Sequence, residues 1–362
     1  MNPSSVYIHI PFCSRKCLFC SFVISVGQEH RREEYVNALI AEMKKNEGQC
    51  LRTIYFGGGT PSMLDENHFH AIMDAMRKNF SFQNDIEVTV EANPESIDQA
   101  KAKSLKSLGF NRVSLGVQSM NDRYLRFLGR GHDAGMAQRA FQILREAGFT
   151  NINLDLMYAF PGQTKEELQE DVHRIAGLGS EHLSLYTLTI EPNSRFFATQ
   201  MKLDDDERLA EYYLMIARIL KEHGLEQYEI SNFAKAREFE SMHNKNYWLG
   251  APYLGFGVGA HGFTGQRRYW NASRLKDYLE LIGQGKSAIE GYEDLSEDQL
   301  IMEKVLFGLR MNGGIPLDLV PINRQGLIQT WVKDGFLLLE RGILRTTDRG
   351  RLVLDELSTR LI

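Results

Sequence analysis

The sequence predicts an α/β protein: a partial (β/α)6 barrel of the TIM type, followed by a mostly helical, winged-helix-like C-terminal domain. Three observations carry that expectation. From Val6 to Leu225 short β-rich runs alternate with amphipathic helical patterns. Polar or glycine-rich residues fall at the C-terminal end of every candidate strand. From Leu295 onward the alternation stops and a helix–helix–hairpin–helix order takes over.

The candidate strands are Val6–Ile10, Thr53–Phe56, Ile86–Glu91, Val113–Gly116, Asn153–Met157 and His182–Tyr186. Between them Val36, Leu39, Ile40 and Met43 recur at helical spacing, as do Ala137, Ala140, Phe141 and Leu144. Ser96 with Gln99, and Thr164 with Glu167, read as capping boxes, and Gly109 and Gly148 as left-handed C-terminal caps. Six β/α units in a row imply a parallel sheet with right-handed crossovers. The cysteine loop follows the first strand and Gly57-Gly58-Gly59-Thr60-Pro61 the second. Glu91-Ala92-Asn93-Pro94, Gln118-Ser119, Asp155 with Tyr158, and Tyr186 close the other four. Contributions from all six strands meet at one centre only if the sheet curls, which favours the barrel over a doubly wound sheet.

A helix is expected over 204–223, with Leu209, Tyr212, Tyr213, Ile216 and Ile219 on its apolar face. After it come Tyr228–Phe233, then His243-Asn244-Lys245-Asn246-Tyr247-Trp248, then a glycine-alternating run from Tyr253 to Gly262. Helices at Asp298–Met311 and Leu327–Lys333, a hairpin turning at Arg341-Gly342 and a last helix after Thr347 complete the chain. The expected division is 1–225 for the barrel, 226–294 for a connecting segment and 295–362 for the C-terminal domain.

Of 362 residues 43% are hydrophobic and 25% charged, the balance of a soluble globular protein with a well-buried core. A net charge of −5 gives no case for nucleic acid as a partner, so the winged-helix pattern is read as protein packing. No apolar run is long enough to span a bilayer, and no signal-peptide pattern is seen, which predicts a cytoplasmic protein.

Three of the four cysteines lie together, as Cys13-x3-Cys17-x2-Cys20, while Cys50 stands apart. Three thiolates on one loop suit three irons of a [4Fe–4S] cube, leaving the fourth iron for a small chelating molecule. A zinc site would need a distant fourth ligand, and incidental thiols are usually scattered. The triple glycine fits neither a dinucleotide fingerprint nor a P-loop, and reads as a place where backbone approaches a ligand closely.

With these motifs in order, the chain resembles the radical S-adenosylmethionine superfamily, and more narrowly its HemN/HemW branch. The matching segments are Tyr7–Cys20, Tyr55–Pro61, Glu91–Pro94, Asn111–Gln118, Asp155–Thr164 and Tyr228–Phe233. The resemblance implies that Cys13, Cys17 and Cys20 hold a [4Fe–4S] cluster whose open iron is chelated by S-adenosylmethionine. It implies that Gly58, Gly59 and Thr60 meet the methionyl amine and Glu91 the polar end of the cofactor. Tyr7 and Phe19 would line the site, and Gln118, Arg130 and Asp155 match positions that contact one or two S-adenosylmethionine molecules. A one-electron donor such as flavodoxin or ferredoxin is implied as a partner.

Within the branch, porphyrinogen dehydrogenases carry a fourth cysteine where this chain has Phe22, and the haem chaperones carry phenylalanine. The chaperones also carry an H-N-x-x-Y-W segment, matched by His243, Asn244, Tyr247 and Trp248. The resemblance therefore implies haem as cargo, His243 as its candidate ligand with His261 as a second, and transfer to an acceptor protein. Oxygen-independent coproporphyrinogen dehydrogenation, radical C-methylation and simple zinc binding stand as the alternatives. Met242, where relatives have arginine, and Ala159, where they have glycine, are the departures.

Overall fold

The computed structural model describes residues 3–46, 48–199, 201–203 and 205–362. Six parallel strands form the barrel: β1 (Ser5–Ile10), β2 (Cys50–Gly58), β3 (Ser81–Ala92), β4 (Arg112–Gln118), β5 (Ile152–Tyr158) and β6 (His182–Thr187). The crossovers carry α1 (Arg32–Met43), α2 (Glu66–Asn79), α3 (Gln99–Ser107), α4 (Asp122–Leu128), α5 (Ala134–Glu146) and α6 (Lys165–Gly177), and α7 (Asp206–Glu222) follows β6. All six expected strands are present, extended by one residue in β1 and β6 and by two to six in the others.

Every barrel strand alternates. One face carries Val6, Ile8, Ile54, Phe56, Val88, Val90, Val113, Leu115, Leu154 and Leu183, all buried in the main core. The other face carries Tyr7, Tyr55, Glu87, Thr89, Glu91, Arg112, Ser114, Asn153, Asp155, His182 and Ser184. Because successive side chains point to opposite sides of a strand, the first set packs on the helices and the second fills the lumen. The apolar exterior supplies the driving force for folding. A polar lumen contributes little to that.

The segment 226–294 joins the same sheet at both of its ends. β7 (Glu226–Gln227) and β8 (Asn232–Ala234) pair antiparallel beyond β6. The chain then crosses the barrel through α8 (Met242–Trp248) and returns as β9 (Tyr253–Phe256), parallel to β1. β10 (His261–Phe263), β11 (Arg267–Asn271) and β12 (Ile289–Asp294) extend that edge, with α9 (Leu275–Gly283) packed behind. Two edges of an open barrel that would otherwise expose unpaired backbone are covered in this way.

The C-terminal unit has its own core of Val305, Leu309, Ile315, Trp331, Leu337, Leu344, Leu357 and Leu361. It comprises α10 (Glu297–Gly308), β13 (Ile315–Pro316), α11 (Gln325–Lys333), β14 (Leu337–Glu340), β15 (Ile343–Thr346), α12 (Asp348–Arg351) and α13 (Leu354–Leu361). Arg341 and Gly342 both have positive φ, 51° and 77°, as a two-residue hairpin turn of this type requires. The unit docks on α8, where Phe307 meets Trp248 edge-on and Arg310 lies over the indole at 4.6 Å.

Local signals are partly confirmed. Thr164 and Glu167 form a capping box on α6, and Gly109 and Gly148 take left-handed φ after α3 and α5. The expected box at Ser96 is not the cap of α3. Asp98, closer to the helix, accepts from Lys101 N at 2.7 Å, while Ser96 bonds Asn93 in the preceding turn. Asp205 caps α7, and Asp204 of the expected 204–223 helix lies outside the described residues. Ala159 has φ +62°, the left-handed backbone that a glycine would take without strain.

The loop after β2 lies directly against the loop after β1. Gly59 N donates to Ile10 O at 2.8 Å and Thr60 N to Phe12 O at 2.8 Å. Gly58 has φ +112°, and a Cβ there would stand 2.4 Å from His9 Cε1; at Gly59 it would stand 2.6 Å from Pro11 O. Gly58→Ala should therefore destabilise the protein by about 2–5 kcal/mol, combining left-handed strain with overpacking. Gly162→Ala, at φ +72° with open space around it, should cost only the strain of about 1–2 kcal/mol. Urea unfolding of both variants checks this, and equal losses would remove the steric explanation.

Candidate functional site

The cysteine loop begins where β1 ends. Its mouth is closed by a bridge between Phe12 and Ser25, with Ser25 N donating to Pro11 O at 2.7 Å and Cys13 N to Ser25 O at 3.1 Å. Leu18 N donates to Leu128 O at 3.0 Å and Lys16 Nζ to Asn193 O at 3.0 Å, which fasten the tip over the barrel. Cys13, Cys17 and Cys20 all line one cavity of about 390 Å³ that runs from this loop into the lumen.

A chain of polar contacts joins two of the thiols. Asn93 Nδ2 donates to Thr60 Oγ1 at 3.0 Å, which leaves the Thr60 hydroxyl proton for Cys13 Sγ at 3.3 Å. Arg130 donates to Asn93 Oδ1 at 2.6 Å, to Gly116 O at 2.7 Å and to Cys17 Sγ at 3.5 Å. Burial pushes the Cys13 thiol up to about 11, with the Thr60 hydrogen bond working against it. Burial raises Cys20 as well, against a hydrogen bond from the Phe22 backbone. Unligated, Cys13 and Cys20 resist ionising, so a bound metal must drive the loss of their protons.

No group of three His, Cys, Asp or Glu side chains among the described residues is gathered tightly enough for a single metal ion. A cube asks for a different arrangement, one thiolate at each of three corners. The donor set fits that demand: three thiols on one loop, a hydroxyl and a guanidinium aimed at sulfur, and a buried Arg130 Nε without a partner.

Below the loop stand the two carboxylates. Glu91 accepts from Tyr55 OH at 2.7 Å and from Gly58 N at 3.1 Å. Burial lifts it to about 7; the Tyr55 bond opposes that and the Asp155 charge adds to it. Asp155 accepts from Asn153 Nδ2 at 2.7 Å and from Ser114 Oγ at 3.4 Å, and burial lifts it to about 6. Gln118 holds a left-handed φ of 69° at the end of β4 and turns its amide into the cavity, a local strain of the kind found at ligand sites.

The structure thus brings together Cys13, Cys17, Cys20, Phe19, Gly58, Gly59, Thr60, Glu91, Gln118, Arg130 and Asp155 around one space. Tyr7 is not in its wall. Its ring stacks on Tyr55 at 6.2 Å, and Tyr55 is the residue that faces the cavity. His243 is also outside the wall, only 1% exposed. Its Nδ1 bonds Thr53 Oγ1 at 2.7 Å, its Nε2 bonds Tyr247 OH at 2.8 Å, and its ring stacks on Tyr55 at 4.8 Å. Both nitrogens are therefore engaged inside the protein, and burial followed by the Arg112 charge lowers its pKa to about 3, so it is neutral. Asn244, the next residue, does face the cavity as its floor. His261 is exposed on β10, beside Trp270. The glycine run serves first to let the two loops touch, and only Gly58 and Gly59 reach the cavity.

Tyr55, Arg112, Asn153 and Ser184 also line the cavity and were not singled out in the sequence. Their signal was the strict polar–apolar alternation of β2, β4, β5 and β6, which in a curled sheet marks an inward polar face.

The chain matches the family model of the radical SAM superfamily over residues 7–175. It is 37% identical over 357 residues to the heme chaperone HemW of Bacillus subtilis, covering 95% of this chain and 93% of that one. It is 33% identical to the heme chaperone HemW of Mycobacterium tuberculosis, covering 98% and 93%. Among solved structures, the coproporphyrinogen III oxidase HemN of Escherichia coli superposes with a TM-score of 0.85 at 26% identity, covering 99% of this chain and 89% of that one. The thiol-bearing loop at the mouth of a six-stranded barrel and these matches define a radical SAM protein. Within that superfamily the chain belongs to the HemW family.

Two outcomes follow from the site. Glu91 and Asp155 have folded-state pKa values above their ordinary 4.5 and 3.8, so each is destabilising once ionised. For Glu91 the folded state loses stability as pH rises from about 4.5 to about 7 and is level beyond. Glu42 and Asp171, also raised by burial, act in the same direction, while His9 and His243, lowered by burial, act oppositely below 6.5. Comparing Glu91→Gln with wild type isolates the one group. Its relative stability should improve by about 1–3 kcal/mol between pH 4.5 and 7, read by urea unfolding of the unreconstituted protein. A difference independent of pH would refute the assignment. For His243→Ala, loss of two buried hydrogen bonds and a stacked ring should cost about 2–4 kcal/mol before any haem is added.

Proposed function

We propose that this chain is a haem chaperone that holds a [4Fe–4S] cluster on Cys13, Cys17 and Cys20 and S-adenosylmethionine in the lumen beneath it. When bound, the cluster and S-adenosylmethionine supply one-electron reductive chemistry at the sulfonium. The protein's own groups bind and orient. The Thr60 hydroxyl and the Arg130 guanidinium face the sulfurs and stabilise their anionic form. Glu91, held by Tyr55 and Gly58, stands ready to accept from an ammonium group, and its buried setting strengthens that contact when it is ionised. Phe19 and the fastened loop tip restrict water at the mouth.

The observation that carries the chaperone reading is Phe22. It stands where the porphyrinogen dehydrogenases of this branch have a fourth cysteine, and it lines the cavity mouth with 66% of its surface exposed. A large apolar ring left in water at the rim of a site suits contact with a flat apolar ligand rather than a second sulfur function. The names of its HemW relatives point the same way. With His243 engaged on both nitrogens, that residue meets haem iron only if α8 leaves the lumen. No helix among the described residues is long and apolar enough to cross a membrane, and the proposed setting is the cytosol, with an electron donor and a haem acceptor as partners.

The second reading, coproporphyrinogen oxidation, draws on the superposition with HemN. Anaerobic reconstitution with iron and sulfide, followed by parallel assays, decides between them. The expected result is a Soret band on adding haem, transfer of that haem to an apo-acceptor, and no turnover of coproporphyrinogen. Turnover without haem binding would reverse the assignment. Cys17→Ala should lose the cluster chromophore altogether.

A further inference from the structure

The lumen contains a buried cation that makes no hydrogen bond or ion pair among the described residues, although its charge acts on Glu91 and Asp155. Arg112, the first residue of β4, is 1% exposed and lines the cavity. Its Nε is buried with no hydrogen-bond partner, and no hydrogen bond or ion pair ties the rest of its guanidinium to another described residue. Its neighbour in register, Thr89, has a buried Oγ1 that is equally unsatisfied. Fully buried arginines are normally paired, because an uncompensated charge out of water is costly. The two nearby carboxylates are already committed, Glu91 to Tyr55 and Gly58, Asp155 to Asn153 and Ser114.

The placement of Arg112 separates it from the cluster. Arg130 stands at the cysteine end, bonded to Cys17. Arg112 begins the same strand four residues before Gly116, whose carbonyl Arg130 holds, roughly 13 Å of extended chain away. The deep end of the cavity is thus a planar donor fork with Asn244 of α8 on the floor, open toward whatever enters from the mouth.

We propose that Arg112 anchors a carboxylate of the ligand that fills the lumen, and that Asn244 closes this subsite from below. Two ligands of this protein carry that chemistry: a second S-adenosylmethionine molecule, apart from the one whose methionyl group meets the cluster, and haem through its propionates. The haem source rests on the function proposed above; the S-adenosylmethionine source rests only on family membership. This gives the H-N-x-x-Y-W segment a different task from iron ligation. His243 locks α8 into the barrel and Asn244 faces the ligand.

The test uses the reconstituted full chain, wild type, Arg112→Gln and Arg112→Lys, with the lysine variant keeping the buried charge and so the fold. Equilibrium binding is measured for S-adenosylmethionine, for haem and for haem dimethyl ester, whose propionates are masked. Losing the fork should weaken the anchored ligand about tenfold or more in Arg112→Gln and about threefold or more in Arg112→Lys. If the methionyl carboxylate is held, S-adenosylmethionine weakens and the ratio of haem to ester affinity is unchanged. If a propionate is held, wild type prefers haem over its ester and the variants lose that preference. Should Arg112→Gln not fold, Arg112→Lys decides by the same criterion. S-adenosylmethionine affinity and haem-to-ester ratio both within twofold of wild type would overturn the proposal and leave Arg112 as a counter-charge for the carboxylates. A wild type that binds no haem defeats the proposed function, and the S-adenosylmethionine measurement then decides Arg112 alone.

Discussion

Everything at the mouth of this barrel depends on one backbone contact, the seam between the end of β1 and the turn after β2. Gly59 N to Ile10 O and Thr60 N to Phe12 O bring two loops together with no room for side chains between them. The seam sets Thr60 against Cys13 and Gly58 N against Glu91. From there Asn93 and Arg130 carry the contact on to Cys17. A loop of three cysteines is a poor ligand while it samples many conformations, because ordering it would be charged against every bound metal. Here the protein's own hydrogen bonds hold the loop.

The second constraint is the polarity of the lumen. A TIM-type barrel is usually filled with branched apolar side chains. In this chain the inner face carries acids, amides, hydroxyls and an arginine, and stability is drawn from the outer face and its helices. Burial raises Glu91 to about 7 and Asp155 to about 6, so near neutral pH both are sensitive to what stands beside them. A ligand bearing ammonium or carboxylate groups exchanges its water for these groups, and they for it.

The third is the crossing of the barrel by α8. His243 bonds Thr53 and Tyr247 and stacks on Tyr55, and Glu87 accepts from the backbone amides of Met242 and His243 at 3.0 Å. On its other side Trp248 meets Phe307 and Arg310 of the C-terminal unit. One short helix is therefore both the floor of the ligand cavity and the seat of the C-terminal unit.

The sequence by itself determined the strands, most helix ends and the thiol loop, and with the family resemblance it named part of the cavity wall. Those features depend on local signals: period-2 alternation, capping residues, and chemistry placed at strand ends. Phe22 was legible only through the family resemblance, as the residue standing where the porphyrinogen dehydrogenases carry a fourth cysteine. What only the tertiary structure decided is which way groups face once distant segments meet. Tyr7 and Tyr55 are paired on one face of the sheet, yet only Tyr55 reaches the cavity, because Tyr7 stacks behind it. His243 and Asn244 are adjacent in sequence, but helical rotation turns one into the packing under Tyr55 and the other to the ligand. The 226–294 segment reads as a connector, and it becomes part of the sheet because both edges of the open barrel had backbone to pair. Arg112 looks like an ordinary strand residue until the sheet curls. Curling takes its guanidinium out of water and leaves it facing a cavity, a long-range consequence with no counterpart in the residues around it.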